Sequence, residues 1–485
     1  MNILFVYSLD DIQSPTKPLC SQEQMCFGIS YISAVLRKHG HHTRLVVLSK
    51  VLAGRNRKTM DAYLKRFFPK LICFTAVATE YTFMAEIAKY VRDHYPDIYL
   101  LIGGPHASLN PTRILSDDFD ALCIGEGEYP VLETALQLEN GVRPSGIPNL
   151  WIKHASEVEE NPPRPFLQDL DSLPFPDREM WQEWIDERPE SRISVLLGRG
   201  CPYQCAYCCN HAFMRLASGT YVRLRSPDNI VEEVKEVAAK FPTKKKFHLE
   251  VETIGLNKEW ALELFSKLER LNETLSEPLS FGANLRITPN RDQESLFVAF
   301  QKCNLKYVDI GLESGSERVR REILRRNYSN EDVIRAVGMA RKYGLKVGLY
   351  NMIGIPGETI ADFRETVRVN RICLPDYHYT SIFFPYPGTD LYSLCREQGI
   401  LNKPLETDME RMRAVLELPG FPKSMIQKSQ IWFDYYVFNG RKPLYKILIG
   451  AIALEFLWRS GLMYFYRRLV WRGFFRWLRK FVWLP

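Results

Sequence analysis

Two successive series of short apolar runs, most of them followed by a helical pattern, occupy most of this 485-residue chain and leave few architectures open. In the first, Ile3 to Tyr7, Thr43 to Leu48, Leu71 to Phe74, Tyr99 to Gly103 and Ala121 to Gly125 read as strands, with helices over Gly28 to His39, Met60 to Phe68, Thr82 to His94 and from Tyr129. Parallel strands joined by helices bury both faces of their sheet. The alternation therefore predicts an α/β, doubly wound, Rossmann-like domain with a ligand site at the carboxyl ends of the strands. In the second series the strands are Ile193 to Leu197, Lys246 to Val251, Ser280 to Asn284, Tyr307 to Gly311, Lys346 to Met352 and Tyr379 to Phe384. Six such units suggest a partial TIM-like (β/α)6 barrel with reactive residues on its carboxyl-terminal rim.

Between the two series, residues 141–190 are rich in Pro and acidic residues, as in Asn161-Pro162-Pro163-Arg164-Pro165 and Leu173-Pro174-Phe175-Pro176, and read as an ordered linker. The expected organisation is an α/β domain over 1–140, a linker over 141–190, a barrel over 191–402 and a helical C-terminal region over 403–485. A chain of this length suits two or three domains. Eleven cysteines behind a strand-like start, Met1 to Tyr7, imply a reducing compartment, with the cytoplasm as the default location.

Three of those cysteines carry the chemistry. In Gly198-Arg199-Gly200-Cys201-Pro202-Tyr203-Gln204-Cys205-Ala206-Tyr207-Cys208 the spacing C-x3-C-x2-C sets three thiolates on one short loop at the exit of the first barrel strand. A cubane iron-sulfur cluster ordinarily takes four cysteines, so three leave one iron open to bind a small molecule. A zinc knuckle would need a second Cys or His pair, and no pair of suitable spacing follows. Cys209 reads as a spare thiol.

The cysteine loop, with Tyr207 ahead of its last ligand, resembles that of the radical S-adenosylmethionine (SAM) superfamily. Further strings resemble the branch with an N-terminal cobalamin-binding domain: Leu101-Ile102-Gly103-Gly104-Pro105-His106, Cys123-Ile124-Gly125-Glu126-Gly127-Glu128, Gly311-Leu312-Glu313-Ser314-Gly315-Ser316, Gly354-Ile355-Pro356-Gly357-Glu358-Thr359 and Pro385-Tyr386-Pro387-Gly388-Thr389. The likeness covers roughly residues 1–400. It implies a [4Fe-4S] cluster on Cys201, Cys205 and Cys208, with SAM on the open iron and Tyr207, Glu313 and Ser314 about it. Ile353 and Ile355 would pack on the adenine, and Glu252 and Arg286 would contact SAM or substrate. Cobalamin would lie by Gly103, Gly104, Gly125 and Glu126. Reductive cleavage of SAM to methionine and a 5'-deoxyadenosyl radical would follow, fed by a donor such as flavodoxin or ferredoxin.

The activity so implied is C-methylation of an unactivated carbon in a small molecule of lipid or natural-product type, with a tetrapyrrole-type radical cyclase as the main rival. A tRNA methylthiotransferase would need further cluster cysteines upstream, and Cys20, Cys26, Cys73 and Cys123 are too scattered to supply them. A cobalamin-binding sensor with an inert barrel would not need the cysteine triplet. The D-x-H-x-x-G loop that supplies a lower cobalt ligand is missing. The nearest string, Asp376-Tyr377-His378-Tyr379-Thr380-Ser381, lacks the glycine, and His106 is expected at the cofactor or domain interface rather than on cobalt.

The net charge of +7 is concentrated at one end. Residues 441–485 hold ten Lys or Arg against the single acid Glu455, which leaves the remainder at −2 and argues against a nucleic-acid partner. The run Ile447 to Leu454 is too short to span a bilayer. Arg468, Arg472, Arg476 and Lys480 recur every fourth residue opposite Trp471, Phe474, Phe475, Leu478 and Val482, a pattern that suits peripheral contact with an anionic membrane surface on its cytoplasmic side.

Overall fold

The computed structural model describes residues 1–466 apart from 11, 156, 189–190, 252–253, 290–292, 402–404, 406, 408 and 464. The chain forms two compact units, one of residues 1–191 with 209–223 and the other of 192–208 with 224 onward.

In the first unit the parallel strands are β1 (Asn2–Ser8), β2 (His42–Leu48), β3 (Leu71–Thr75), β4 (Tyr99–Gly103) and β5 (Ala121–Cys123). The helices between them are α1 (Phe27–Lys38), α2 (Ala53–Phe67) and α3 (Tyr81–His94), and α4 (Glu128–Glu139) follows β5. Ile3, Leu4 and Val6 have no exposed surface, as a strand covered on both faces requires. The sheet order β2-β1-β3-β4-β5 reverses direction between β1 and β3, which opens a crevice at the carboxyl ends.

The stretch expected to be a linker belongs to this unit. β6 (Leu150–Lys153) and β7 (Val158–Glu160) extend the sheet past β5 in antiparallel fashion. Beyond them the prolines rule out regular pairing, and buried side chains hold the chain instead. The indole N–H of Trp181 donates to Ser30 Oγ at 2.8 Å and that of Trp184 to the Leu45 carbonyl at 3.0 Å. Asp177 accepts from Ser33 at 2.7 Å and from Arg37 at 3.0 Å.

The second unit is built on six parallel strands: β8 (Ile193–Leu196), β9 (Lys246–Glu250), β10 (Ser280–Leu285), β11 (Leu305–Glu313), β12 (Lys346–Ile353) and β13 (Tyr377–Ile382). They lie side by side in chain order, the arrangement of an incomplete barrel. The connecting helices are α5 (Pro227–Lys240), α6 (Lys258–Glu273), α7 (Glu294–Lys302), α8 (Asn330–Lys342) and α9 (Ile360–Cys373). Capping boxes at Ser329/Asp332 and Thr359/Asp362 fix where α8 and α9 begin, each satisfying two backbone donors that a helix start leaves open. Phe247, Leu249, Val308, Ile310, Val347 and Leu349 pack toward the helices.

Past the barrel come α10 (Asp390–Glu397), α11 (Lys423–Ile431), α12 (Phe433–Phe438) and α13 (Leu444–Arg459). No helix among the described residues is long and apolar enough to cross a membrane. The amphipathic pattern from Arg468 to Val482 lies outside the described residues.

Candidate functional site

The cysteine loop leaves β8 and is fixed from both sides at its centre. The Ala206 amide donates to the Leu324 carbonyl at 3.2 Å, and its carbonyl accepts from the Leu391 amide, in the first turn of α10, at 3.0 Å. Gly200, at φ +86°, turns the chain into the loop, and the Cys208 amide closes a turn on the Cys205 carbonyl at 3.0 Å. Cys201 and Cys205 are buried, Cys208 is half-buried, and none of the three is in a disulfide. Arg286, just past β10, donates to Cys205 Sγ at 3.4 Å while its guanidinium covers the Tyr203 ring at 3.4 Å. Among the described residues no three donors converge as a single-ion site. A cubane with one iron per cysteine asks for wider spacing than that, so three cysteines outside any disulfide on one pinned loop fit such a cluster.

Beside the loop lies a charged network that the sequence did not announce. Arg326 donates to Glu313 Oε1 at 2.5 Å and to Tyr207 Oη at 2.6 Å. Tyr328 donates to the Gly311 carbonyl at 2.7 Å. Glu313 closes β11 in the left-handed region at φ +59°, where the register with β12 slips. Its carboxylate folds back over Gly311, where a Cβ would sit 2.6 Å from Glu313 Oε1 and would displace the carboxylate. Burial, with the Glu313 charge adding to it, holds the Tyr207 phenol well above its ordinary range and keeps it protonated. The motif strings marked Tyr207 and Glu313, but not their partnership with Arg326.

Other expected residues have different surroundings. Ser314 is fully buried, and its hydroxyl accepts from the Ser316 amide at 3.2 Å and lies 3.5 Å from Thr366 Oγ1 on α9. Ile353 and Ile355 have no exposed surface and belong to a core shared with α9, α11 and α12. The turn that carries Ile355 closes on Glu358, whose Oε2 accepts from the Gly354 amide at 2.5 Å and the Ile355 amide at 3.1 Å. Burial raises the Glu358 carboxyl to about 8. Glu252 lies outside the described residues.

The sheet face turned away from the helices is aromatic and polar. A Cβ on Gly282 would fall 1.9 Å from the Tyr307 ring, and one on Gly348 would fall 2.4 Å from the Tyr377 ring, so two glycines make room for two tyrosines. Tyr377 donates to Asp309 at 2.8 Å, Tyr307 Oη lies 2.7 Å from His248 Nδ1, and Tyr350 stacks on Tyr379 with centroids 4.9 Å apart. Tyr350 is 38% exposed and available to a ligand.

In the first unit, Gly103 and Gly104 end β4, and Gly125 and Glu126 follow β5. Gly104, at φ +95°, abuts Thr75 and Ala76, where a Cβ would lie 2.7 Å from Thr75 Oγ1. Gly125, at φ +85°, donates to Ser108 Oγ at 3.0 Å. Glu126 accepts from Arg223 at 2.9 Å and from the Leu167 amide at 2.9 Å, so its carboxylate clamps its own unit. His106 is 8% exposed with neither ring nitrogen hydrogen-bonded, stacks on Tyr81 at 4.4 Å, and is held neutral by burial at about 4. Unsatisfied buried nitrogens at the carboxyl end of β4 fit an amide-rich cofactor such as cobalamin.

Comparison with known proteins agrees with both units. The radical SAM superfamily model matches residues 195–369 and the B12 binding domain model matches 23–135. The chain is 25% identical over 444 residues to an uncharacterized methyltransferase of Pyrococcus horikoshii, covering 90% of this chain and 93% of that one. It is 23% identical over 374 residues to an anaerobic magnesium-protoporphyrin IX monomethyl ester cyclase of Rubrivivax gelatinosus, covering 75% of this chain and 65% of the cyclase. The fold matches the radical SAM methyltransferase TsrM of Kitasatospora setae, solved with cobalamin and a [4Fe-4S] cluster, at a TM-score of 0.64 and 18% identity over 83% of this chain and 79% of that one.

Proposed function

We propose that this chain, which belongs to the radical SAM enzymes carrying a B12-binding domain, C-methylates an unactivated carbon of a lipid or lipid-like natural product. When bound, the cluster supplies the electron that cleaves SAM and cobalamin supplies a methyl carrier. Cys201, Cys205 and Cys208 would hold the cluster, with Arg286 hydrogen-bonded to Cys205 Sγ. Glu313, oriented by Arg326, offers SAM a carboxylate fixed before binding, so its ordering is not paid for on association. Ser314, Ile353 and Ile355 act from behind, as buried supports of the strand ends that carry Glu313 and Gly354. His106, with Gly103, Gly104 and Gly125 at the strand exits, would face cobalamin, and the Tyr350–Tyr379 stack would receive the acceptor.

The observation that carries this reading is the pinned loop of three cysteines outside any disulfide, with Arg286 on Cys205. It is tested by reconstituting the protein without air and measuring iron, the reduced-cluster paramagnetic signal and 5'-deoxyadenosine released from SAM. Wild type should show all three, and each single Cys→Ala replacement at 201, 205 and 208 should lose them; release of 5'-deoxyadenosine by the alanine variants would refute the assignment. A second reading, radical cyclisation, draws on the cyclase relative. Product mass separates the two, since methylation adds one carbon and cyclisation need not. The electron would come from a donor of flavodoxin or ferredoxin type. The basic, aromatic region 441–485 supports work at the cytoplasmic face of a membrane, where a lipid acceptor would be met.

A further inference from the structure

Helix α13 has two unlike sides. Ile447 and Ala451 are buried, whereas Tyr445, Ile449, Ile452 and Phe456 are each at least half exposed. Their spacing of four, three and four puts them on one stripe, and exposed Leu462 and Phe465 follow it in sequence. Soluble surfaces seldom carry a contiguous apolar stripe without a use for it.

Under the same helix lies a cavity of about 560 Å³, walled by α11, α12, α13 and the edge strand β13. Its lining is chiefly apolar, with Ile431, Phe433, Phe438, Ile447, Leu454 and Trp458 among the wall residues. Bound small molecules occupy cavities of about 300–1,000 Å³. Tyr445 and Ile449 belong both to this lining and to the exposed stripe, so the cavity opens where the stripe begins. Lys442 and Lys446 stand at that opening. Lys442 lies over the Phe438 ring at 3.4 Å, and Lys446 has no ion-pair partner among the described residues. Two acids also line the cavity: half-exposed Asp434, 2.6 Å from His378 Nε2, and Asp376, which accepts from the Val347 amide at 2.8 Å.

We propose that this cavity takes the hydrocarbon chain of an anionic membrane lipid, with Lys442 and Lys446 meeting the headgroup and the α13 stripe seated among neighbouring headgroups. An apolar well, a cationic mouth and an apolar rim in one place match the three parts of such a lipid in a bilayer. His378 and Thr380 of β13 line the well, with Tyr377 at the start of the strand also in its wall, whereas the Tyr350–Tyr379 stack occupies the other face of the sheet and takes no part in the lining. The site therefore holds a lipid apart from the face assigned to the methyl acceptor. It does not depend on the reaction proposed above.

The test uses the full chain with phosphatidylcholine vesicles containing a minority of phosphatidylglycerol whose acyl chain bears a photoactivatable diazirine, with labelled residues mapped by mass spectrometry. Labels are expected on the inner wall, at Phe433, Ile447 and Leu454, as well as on the stripe. Gly450→Phe, which fills the well, should cut inner-wall labelling about tenfold and spare the stripe. Lys442→Glu with Lys446→Glu should cut both about tenfold. Labels confined to the stripe, or inner labelling indifferent to both changes, would overturn the proposal. So would inner labelling that appears only in a chain ending at Tyr466, because the C-terminal segment would then be the occupant. If Gly450→Phe does not fold, the double lysine variant decides, since both lysines are exposed. Release of 5'-deoxyadenosine from SAM should be unchanged in the lysine variant, so failure here and failure of the reaction assignment are read separately.

Discussion

A guanidinium as enclosed as that of Arg326, 6% exposed, needs its charge met, and Nη1 meets two partners while the buried Nε has none. Its partners are the Glu313 carboxylate, itself 15% exposed, and the Tyr207 hydroxyl. Removing the arginine would leave an enclosed carboxylate without its counter-charge. Arg326→Ala should therefore cost about 3–5 kcal/mol in urea unfolding of the cluster-free protein and weaken SAM binding by calorimetry. Arg326→Lys keeps the charge but not the planar group whose Nη1 meets Glu313 and Tyr207 while Nη2 lies 3.5 Å from the Gly311 carbonyl, so its loss should be smaller but clear. An alanine variant as stable as wild type would mean that the network contributes nothing to the fold. Cys201, Cys205 and Cys208 stood out as one loop because their spacing is local in the sequence. Arg326 did not, because it lies 119 residues from Tyr207 and only the return of the chain after β11 brings the two together.

At the scale of one element, the turn from β12 into α9 shows how a motif can be recognised and its workings misplaced. Gly354 and Gly357 both adopt φ +75°, which explains the glycines, but Ile355 points into the core and Glu358 closes the turn beneath. Burial is what raises the Glu358 carboxyl to about 8, against 4.5 when unfolded. Between those values the folded protein keeps a proton that the unfolded chain releases. Stability should then fall as pH rises, by at most about 1.4 kcal/mol per pH unit, and level off above the folded value. Below 4.5 the contribution is complete. Glu358→Gln keeps an oxygen for the Gly354 and Ile355 amides but cannot ionise. Urea unfolding at pH 5, 6.5 and 8 should show its profile flatter than wild type and its relative stability greatest at pH 8. An unchanged slope would assign the pH dependence to other groups. Strands and helices near this turn were legible from hydrophobic period alone, whereas the turn depends on a buried carboxylate that no periodicity marks.

Across the whole molecule, both sheets were legible from βα alternation, but the division of the chain was not. Residues 141–190 read as a linker because prolines interrupt every pattern there, yet buried Trp181 and Trp184 hydrogen-bond that stretch into the first unit. Residues 209–223 return to the same unit directly after the cysteine loop, a detour with no compositional mark. Each unit buries its own apolar core, so heating should resolve two transitions rather than one. A ligand stabilises only the unit that holds it. Hydroxocobalamin at a hundred times its dissociation constant adds about 2.7 kcal/mol. For a unit of this size that amounts to a rise of about 5–10 °C in one transition. Iron chelation should instead lower the other transition, which reports the unit bearing Cys201, Cys205 and Cys208. Scanning calorimetry of the reconstituted protein, with each treatment alone, makes the comparison. If both transitions move together under either treatment, the two units unfold as one cooperative body and the separate assignment of the cofactors to them loses its thermodynamic support.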